Sequence, residues 1–108
     1  MYLQFDPYIL DWLASWNGEF EWDDGNLRKN EKHGVTTQAI ERIFDLPVYA
    51  AGKIAESGEE DRWLLLGEAD AKGWALIVTV RGKKLRVISC RRQRKMEGQF
   101  YEKIKKEN

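Results

Sequence analysis

The chain has 108 residues, 43% hydrophobic and 33% charged, a size and balance that fit one globular domain able to bury a core without metals or disulfides. Its single cysteine, Cys90, excludes an intrachain disulfide and suits a reducing compartment such as the cytoplasm. The longest apolar runs, Trp63–Leu66 and Trp74–Val78, are too short to cross a membrane, and the N-terminus does not read as a signal peptide.

The net charge is zero, but it is unevenly spread. Residues 1–80 hold 7 Lys/Arg against 15 Asp/Glu, and residues 81–108 hold 11 against 3. A basic C-terminal part suits a polyanion or an acidic protein partner, or else the two parts neutralise each other across the fold.

Asp6-Pro7 opens the first helix, with Asp as cap and Pro at the first helical position. Ile9, Trp12, Leu13 and Trp16 follow as one apolar stripe, and Asn17-Gly18 ends it, which predicts a helix over about 7–16. Phe20 and Trp22 alternate with Glu19 and Glu21, the pattern of a short strand with one buried face. Asp23-Asp24-Gly25-Asn26 reads as a turn able to cap a short polar helix, Leu27–His33, which stops at Gly34. Thr36 caps the next helix, with Ile40, Ile43 and Phe44 on one face and Pro47 as its stop.

Val48–Ile54 is a candidate strand and Glu56–Asp61 an acidic turn. Arg62–Leu66, Trp74–Arg81 and Lys84–Cys90 are stronger strands; Gly67 and Gly73 bracket their first connection and Gly82-Lys83 makes a tight second one. Gln93–Lys106 reads as a polar helix with Met96, Phe100 and Ile104 spaced by four. The order predicts an α+β domain: an antiparallel sheet of four to five strands with helices segregated to one side. No repeat or linker marks a second domain.

Several blocks then carry a family likeness. They are Phe20-Glu21-Trp22-Asp23, Gly25-Asn26, Lys29-Asn30, Lys32-His33-Gly34-Val35, the helix end Ile43-Phe44, Arg62-Trp63, Leu66-Gly67, and Arg86-Val87-Ile88-Ser89-Cys90-Arg91 followed by Glu97 and Tyr101. In order and rough spacing they resemble the BrnT toxin family over residues 20–102. Residues 1–19 then form an N-terminal helical extension of a single domain spanning 1–108. The resemblance implies a RelE-like fold and a metal-independent endoribonuclease that inhibits translation by cleaving RNA. It also implies neutralisation by a BrnA-type antitoxin, with operator DNA contacted only through the antitoxin complex. The alternative is a non-catalytic nucleic-acid- or antitoxin-binding module of the same fold that has lost toxicity.

Cleavage through the 2′-hydroxyl needs a base, cations to stabilise charge on phosphorus, and an acid for the leaving oxygen. His33 is the one histidine, so a two-histidine pair is excluded. The candidate catalytic residues are Lys32 and His33, the phosphate clamp Arg62, Arg86 and Arg91, and Glu97 with Tyr101 one helical turn apart. Each has a plain structural reading too: ion pairs from the arginines to Glu59, Glu60 or Glu97, a helix-end contact for His33, a half-buried ring for Tyr101.

Strict alternation puts Arg86, Ile88 and Cys90 on one side of the last strand and Leu85, Val87 and Ser89 on the other. Lys83, Lys84, Arg92, Arg94 and Lys95 are expected to hold the RNA backbone without sequence choice. An acidic antitoxin segment would suit the same surface. No Cys/His cluster has zinc spacing, so no metal or cofactor is expected. Cys90 reads as a small buried apolar residue.

Overall fold

The computed structural model describes residues 3–54 and 60–107. Glu56–Glu59 of the expected acidic turn therefore lie outside the described residues. The elements are β1 (Leu3–Gln4), α1 (Tyr8–Ala14), α2 (Asp24–Lys32), α3 (Thr37–Ile43), β2 (Tyr49–Ile54), β3 (Trp63–Ala69), β4 (Lys72–Arg81), β5 (Lys84–Arg92) and α4 (Lys95–Glu107). The strands form one antiparallel sheet in the order β1-β2-β3-β4-β5. This is the expected α+β layout with its N-terminal helix.

Alternation along the strands sorts their side chains onto two faces. Trp63 and Leu65, Leu76 and Val78, and Leu85, Val87 and Cys90 form one buried cluster with Ile9 of α1, Ile40 and Ile43 of α3, and Val35. The N-terminal helix lays Trp12 and Leu13 on the same cluster, and Trp16, just past its end at Ala14, joins them. Trp16, Phe20 and Phe44 close its end with ring centroids 5.0 to 5.5 Å apart. Leu64, Leu66 and Ala75 face the other way and meet Tyr101 of α4.

The helices are thus divided: α1 and α3 cover one face, α2 lies along the outer edge of β5, and α4 crosses the other face, where the sequence had suggested one side for all. The reason lies in β3, whose residues Trp63–Leu66 are all buried. An apolar run without polar alternation needs cover on both faces. On α4 the expected stripe also shifts. Tyr101 is the buried residue, while Met96 is 80% exposed and Phe100 41%. An apolar groove of about 530 Å³ stays open beside them, floored by Ala51, Leu64 and Leu66.

Two glycines serve packing rather than the turn they were expected to bracket. Both Gly67 and Gly73 lie inside strands. A Cβ on Gly67 would stand 2.6 Å from Ile43 Cγ2, and one on Gly73 would collide with the Gln93 side chain. The β3–β4 turn falls instead on Asp70 and Ala71, both at positive φ. Gly82 makes the β4–β5 turn as expected, at φ +62°.

The outer edge of β5 is closed by the chain before and within α2. Glu21 N–H donates to Leu85 O (2.9 Å) and Leu85 N–H to Glu19 O (3.0 Å). The expected strand at Phe20–Trp22 is thereby a single parallel bridge between Phe20 and Leu85. Further along, Asn26 Nδ2 donates to Val87 O (3.3 Å), and Asn30 Oδ1 accepts from Cys90 N–H (3.0 Å). Both asparagines are 2% exposed. Their amides replace a neighbouring strand for backbone groups that would otherwise be buried without partners.

Candidate active site

The position of the arginines depends on a bulge. Ile77 pairs with Ser89 but Val78 pairs with Val87, so Ile88 has no partner on β4. One extra residue inverts the alternation beyond it. Leu85, Val87 and Cys90 therefore point together into the core, and Arg86, Ser89 and Arg91 share the opposite face. The expected grouping of Arg86 with Cys90, and of Ser89 with Val87, is corrected by this bulge. Arg62 precedes the inward-facing Trp63 and so falls on the same face as Arg86.

An alternating ionic chain ties Arg62 to Arg86 across that face. Arg62 Nη2 lies 3.3 Å from Glu60 Oε1, and Glu60 Oε2 lies 3.4 Å from Arg81 Nη2. Arg81 Nη1 meets Glu21 Oε1 at 2.9 Å, and the same oxygen meets Arg86 Nη1 at 3.1 Å. Arg86 then grips Asp23 with two bonds, 2.7 and 3.0 Å. The same carboxylate caps α2, accepting from Gly25 N–H and Asn26 N–H. The Arg86 guanidinium, then these backbone donors, hold the Asp23 carboxyl below its ordinary value. The Nε of Arg62 is buried without a hydrogen-bond partner.

Arg91 makes a separate, bidentate pair with Glu97 at 2.7 and 2.8 Å. Glu97 also accepts from Arg94 N–H at 2.8 Å, which closes the first turn of α4. Arg91, foremost, and the Arg94 N–H keep the Glu97 carboxyl below the usual carboxylate range. The structural reading of the clamp arginines is thus realised: Arg62 holds Glu60, Arg91 holds Glu97, and Arg86 holds Asp23 and Glu21. Glu59, the other expected partner, lies outside the described residues.

Tyr101 is 3% exposed and packs on Tyr49, with ring centroids 5.6 Å apart. Burial first, then Glu68, push its hydroxyl up to about 12. A ring in that position anchors α4 to the sheet and is not open for a base to stack on, and it is more deeply buried than expected. Cys90 is fully buried, and desolvation pushes its thiol up to about 12, as befits an inert core residue.

The remaining candidates divide between the two ends of β5. Lys83 and Lys84 are exposed at the β4–β5 turn, near Arg86. Arg92, Arg94 and Lys95 are exposed at the far end, beside Arg91, with Arg92 over the Trp74 ring at 5.6 Å. Arg86 and Arg91 are roughly 15 Å apart along the strand, from its rise per residue. Because Asn26 meets Val87 and Asn30 meets Cys90, α2 runs beside β5 in the same direction. It carries Lys32 and His33, both exposed, toward the Arg91 end. His33 is the C-cap of α2, its backbone N–H donating to Asn30 O at 3.0 Å.

The three arginines therefore share a face, Glu97 joins Arg91, and Lys32 and His33 stand at the sheet edge rather than on that face. Sequence reasoning passed over Asn26 and Asn30, which set the edge of β5. Their spacing of four on a polar helix, with both amides facing one way, was the available signal.

Fold and site together define a small α+β domain whose arginine-bearing sheet face adjoins its last helix. No sequence among the curated proteins matches the chain closely enough to count as a relative. The family model for the ribonuclease toxin BrnT of type II toxin–antitoxin systems matches residues 22–97, and the chain belongs to this family. Membership implies an antitoxin partner. Among the described residues no helix is long and apolar enough to cross a membrane.

Proposed function

We propose that the protein is a cytoplasmic endoribonuclease toxin that cleaves RNA without a metal ion, thereby inhibits translation, and is neutralised by its cognate antitoxin. The observation that carries this reading is the common face of Arg62, Arg86 and Arg91 in a chain of a ribonuclease-toxin family. Planar guanidinium groups suit a phosphodiester that gains charge in the transition state. In the free protein carboxylates hold those groups in place. A bound phosphate uses N–H donors the carboxylates leave over, or displaces them. Histidine is the side chain suited to proton transfer near neutral pH, so His33, helped by Lys32, takes the acid–base role. Glu97 orients Arg91, and Tyr101 anchors the helix that carries Glu97.

The antitoxin is inferred to cover the basic strand–helix surface. The open groove beside Met96 and Phe100, with Arg94 and Lys95 at its rim, offers apolar anchorage and attraction for acidic side chains. A complex with contacts confined to residues 1–45 would contradict this.

The test is incubation of purified protein with a defined transcript in excess chelator. Cleavage is expected, and Arg91→Ala and His33→Ala, each with unchanged circular dichroism, are expected to lose about 100-fold in rate. Full activity in both variants refutes the site. The neutralised arginines equally suit the non-catalytic binding module, and RNA bound but left intact by the wild type would favour it.

A further inference from the structure

We propose that Ser89 is a phosphate-contacting residue of the RNA site, its hydroxyl donating to a non-bridging oxygen of a phosphodiester that lies over β5 on the stretch between Arg86 and Arg91. The inference rests on the nuclease reading for its ligand and on the bulge at Ile88 for its geometry. In a regular strand Ser89 would follow Leu85 and Val87 into the core, where a hydroxyl needs a buried partner. The unmatched Ile88 turns it outward instead. Bulges of this kind re-aim side chains next to active sites.

Ser89 then has an arginine on either side along the same face, with Arg91 about 7 Å away by the strand rise. Arg86 leans toward Asp23 and Glu21 at the sheet edge, and Arg91 toward Glu97 on α4. The two guanidinium groups diverge, leaving Ser89 and its cross-strand partner Ile77, both half-buried, between them. Among the described residues the Ser89 hydroxyl has no protein hydrogen-bond partner. A guanidinium has more N–H donors than these carboxylates take. The stretch therefore presents a neutral hydroxyl with a cationic side chain toward either end, an arrangement suited to an anionic oxygen and not to a cation.

The experiment compares wild type, Ser89→Ala and Ser89→Thr with two probes. One is a 2′-O-methyl oligoribonucleotide that cannot be cleaved, followed by fluorescence anisotropy over a salt series. The other is its all-ribose counterpart, followed by gel. Ser89→Ala is expected to weaken binding about tenfold and to lower the cleavage rate. The slope of log affinity against log salt should stay the same, because no cation is lost. Ser89→Thr should restore both. Wild-type binding and cleavage in Ser89→Ala overturn the proposal alone. Binding that depends on Ser89, with the all-ribose strand left intact, overturns the nuclease reading and keeps the phosphate contact. An oligonucleotide that the wild type does not bind overturns the contact outright.

Discussion

The two faces of the sheet are held by different forces. Under α1 and α3 the strands present Leu65, Leu76, Val78, Leu85 and Val87, all fully buried, with aromatic rings sealing the end. Under α4 the covered patch is small, and the rest of the face is an ionic chain from Arg62 to Asp23 plus the Arg91–Glu97 pair. Apolar burial is roughly proportional to area and has no geometric alternative. These ion pairs are exposed at Arg62 and Arg81 and partly buried at Arg86, Arg91 and Glu97. They contribute modest net stability, because water and salt compete with the first and desolvation offsets the attraction in the second. The first face therefore fixes the fold, and the second keeps charged groups in order while leaving them free to change partners.

The largest expected effect breaks the first face. Leu65→Ala should cost about 2–5 kcal/mol in urea unfolding, whereas Ile77→Ala, half-buried on the other face, should cost less than half as much. Equal losses would erase the contrast. Next comes the edge that joins the faces. Asn30→Leu leaves the Cys90 N–H without its acceptor and should cost about 1–3 kcal/mol by the same measurement.

The smallest effect belongs to the ionic face. Glu97 has a folded pKa below the ordinary 4.5, so its contribution is complete above that value. It is lost as pH falls through the lowered one. Glu97→Gln should cost about 1 kcal/mol at pH 7. It should also flatten the decline in unfolding midpoint below pH 4.5 that is expected of the wild type. A parallel acid decline in both proteins would show that Glu97 is not the group responsible.

Local chemistry made much of the fold legible. The stripe Ile9, Trp12, Leu13 sets α1, which ends at Ala14, two residues short of the expected Trp16. Thr36 caps α3 with its hydroxyl accepting from Ala39 N–H at 3.1 Å, and Gly82 turns the last hairpin. What stayed hidden depends on distant partners. The bulge at Ile88 is defined by which residues of β4 it faces. Its flanking groups, Val87 O and Cys90 N–H, are held by Asn26 and Asn30, 57 or more residues earlier in the chain. Ser89 was therefore assigned to the wrong face. The clamp was readable as residue type, and Glu60 and Glu97 as its partners. Asp23 and Glu21 were not, because a turn residue and a strand residue reach Arg86 only once the chain has folded back beside β5. The two-residue β1 has no pattern to read.

The closed edge of β5 also bears on how copies of the protein meet. A strand with free backbone donors and acceptors is a template for further strands, and so for fibres and swapped domains. Residues 19–21 and the two asparagine amides already occupy those groups on β5. Joining two copies edge to edge there would require α2 to detach and the Asp23–Arg86 contact to open with it. Assembly through that strand is thus coupled to dismantling one end of the arginine face, so a polymerised form could not keep that end of the face intact.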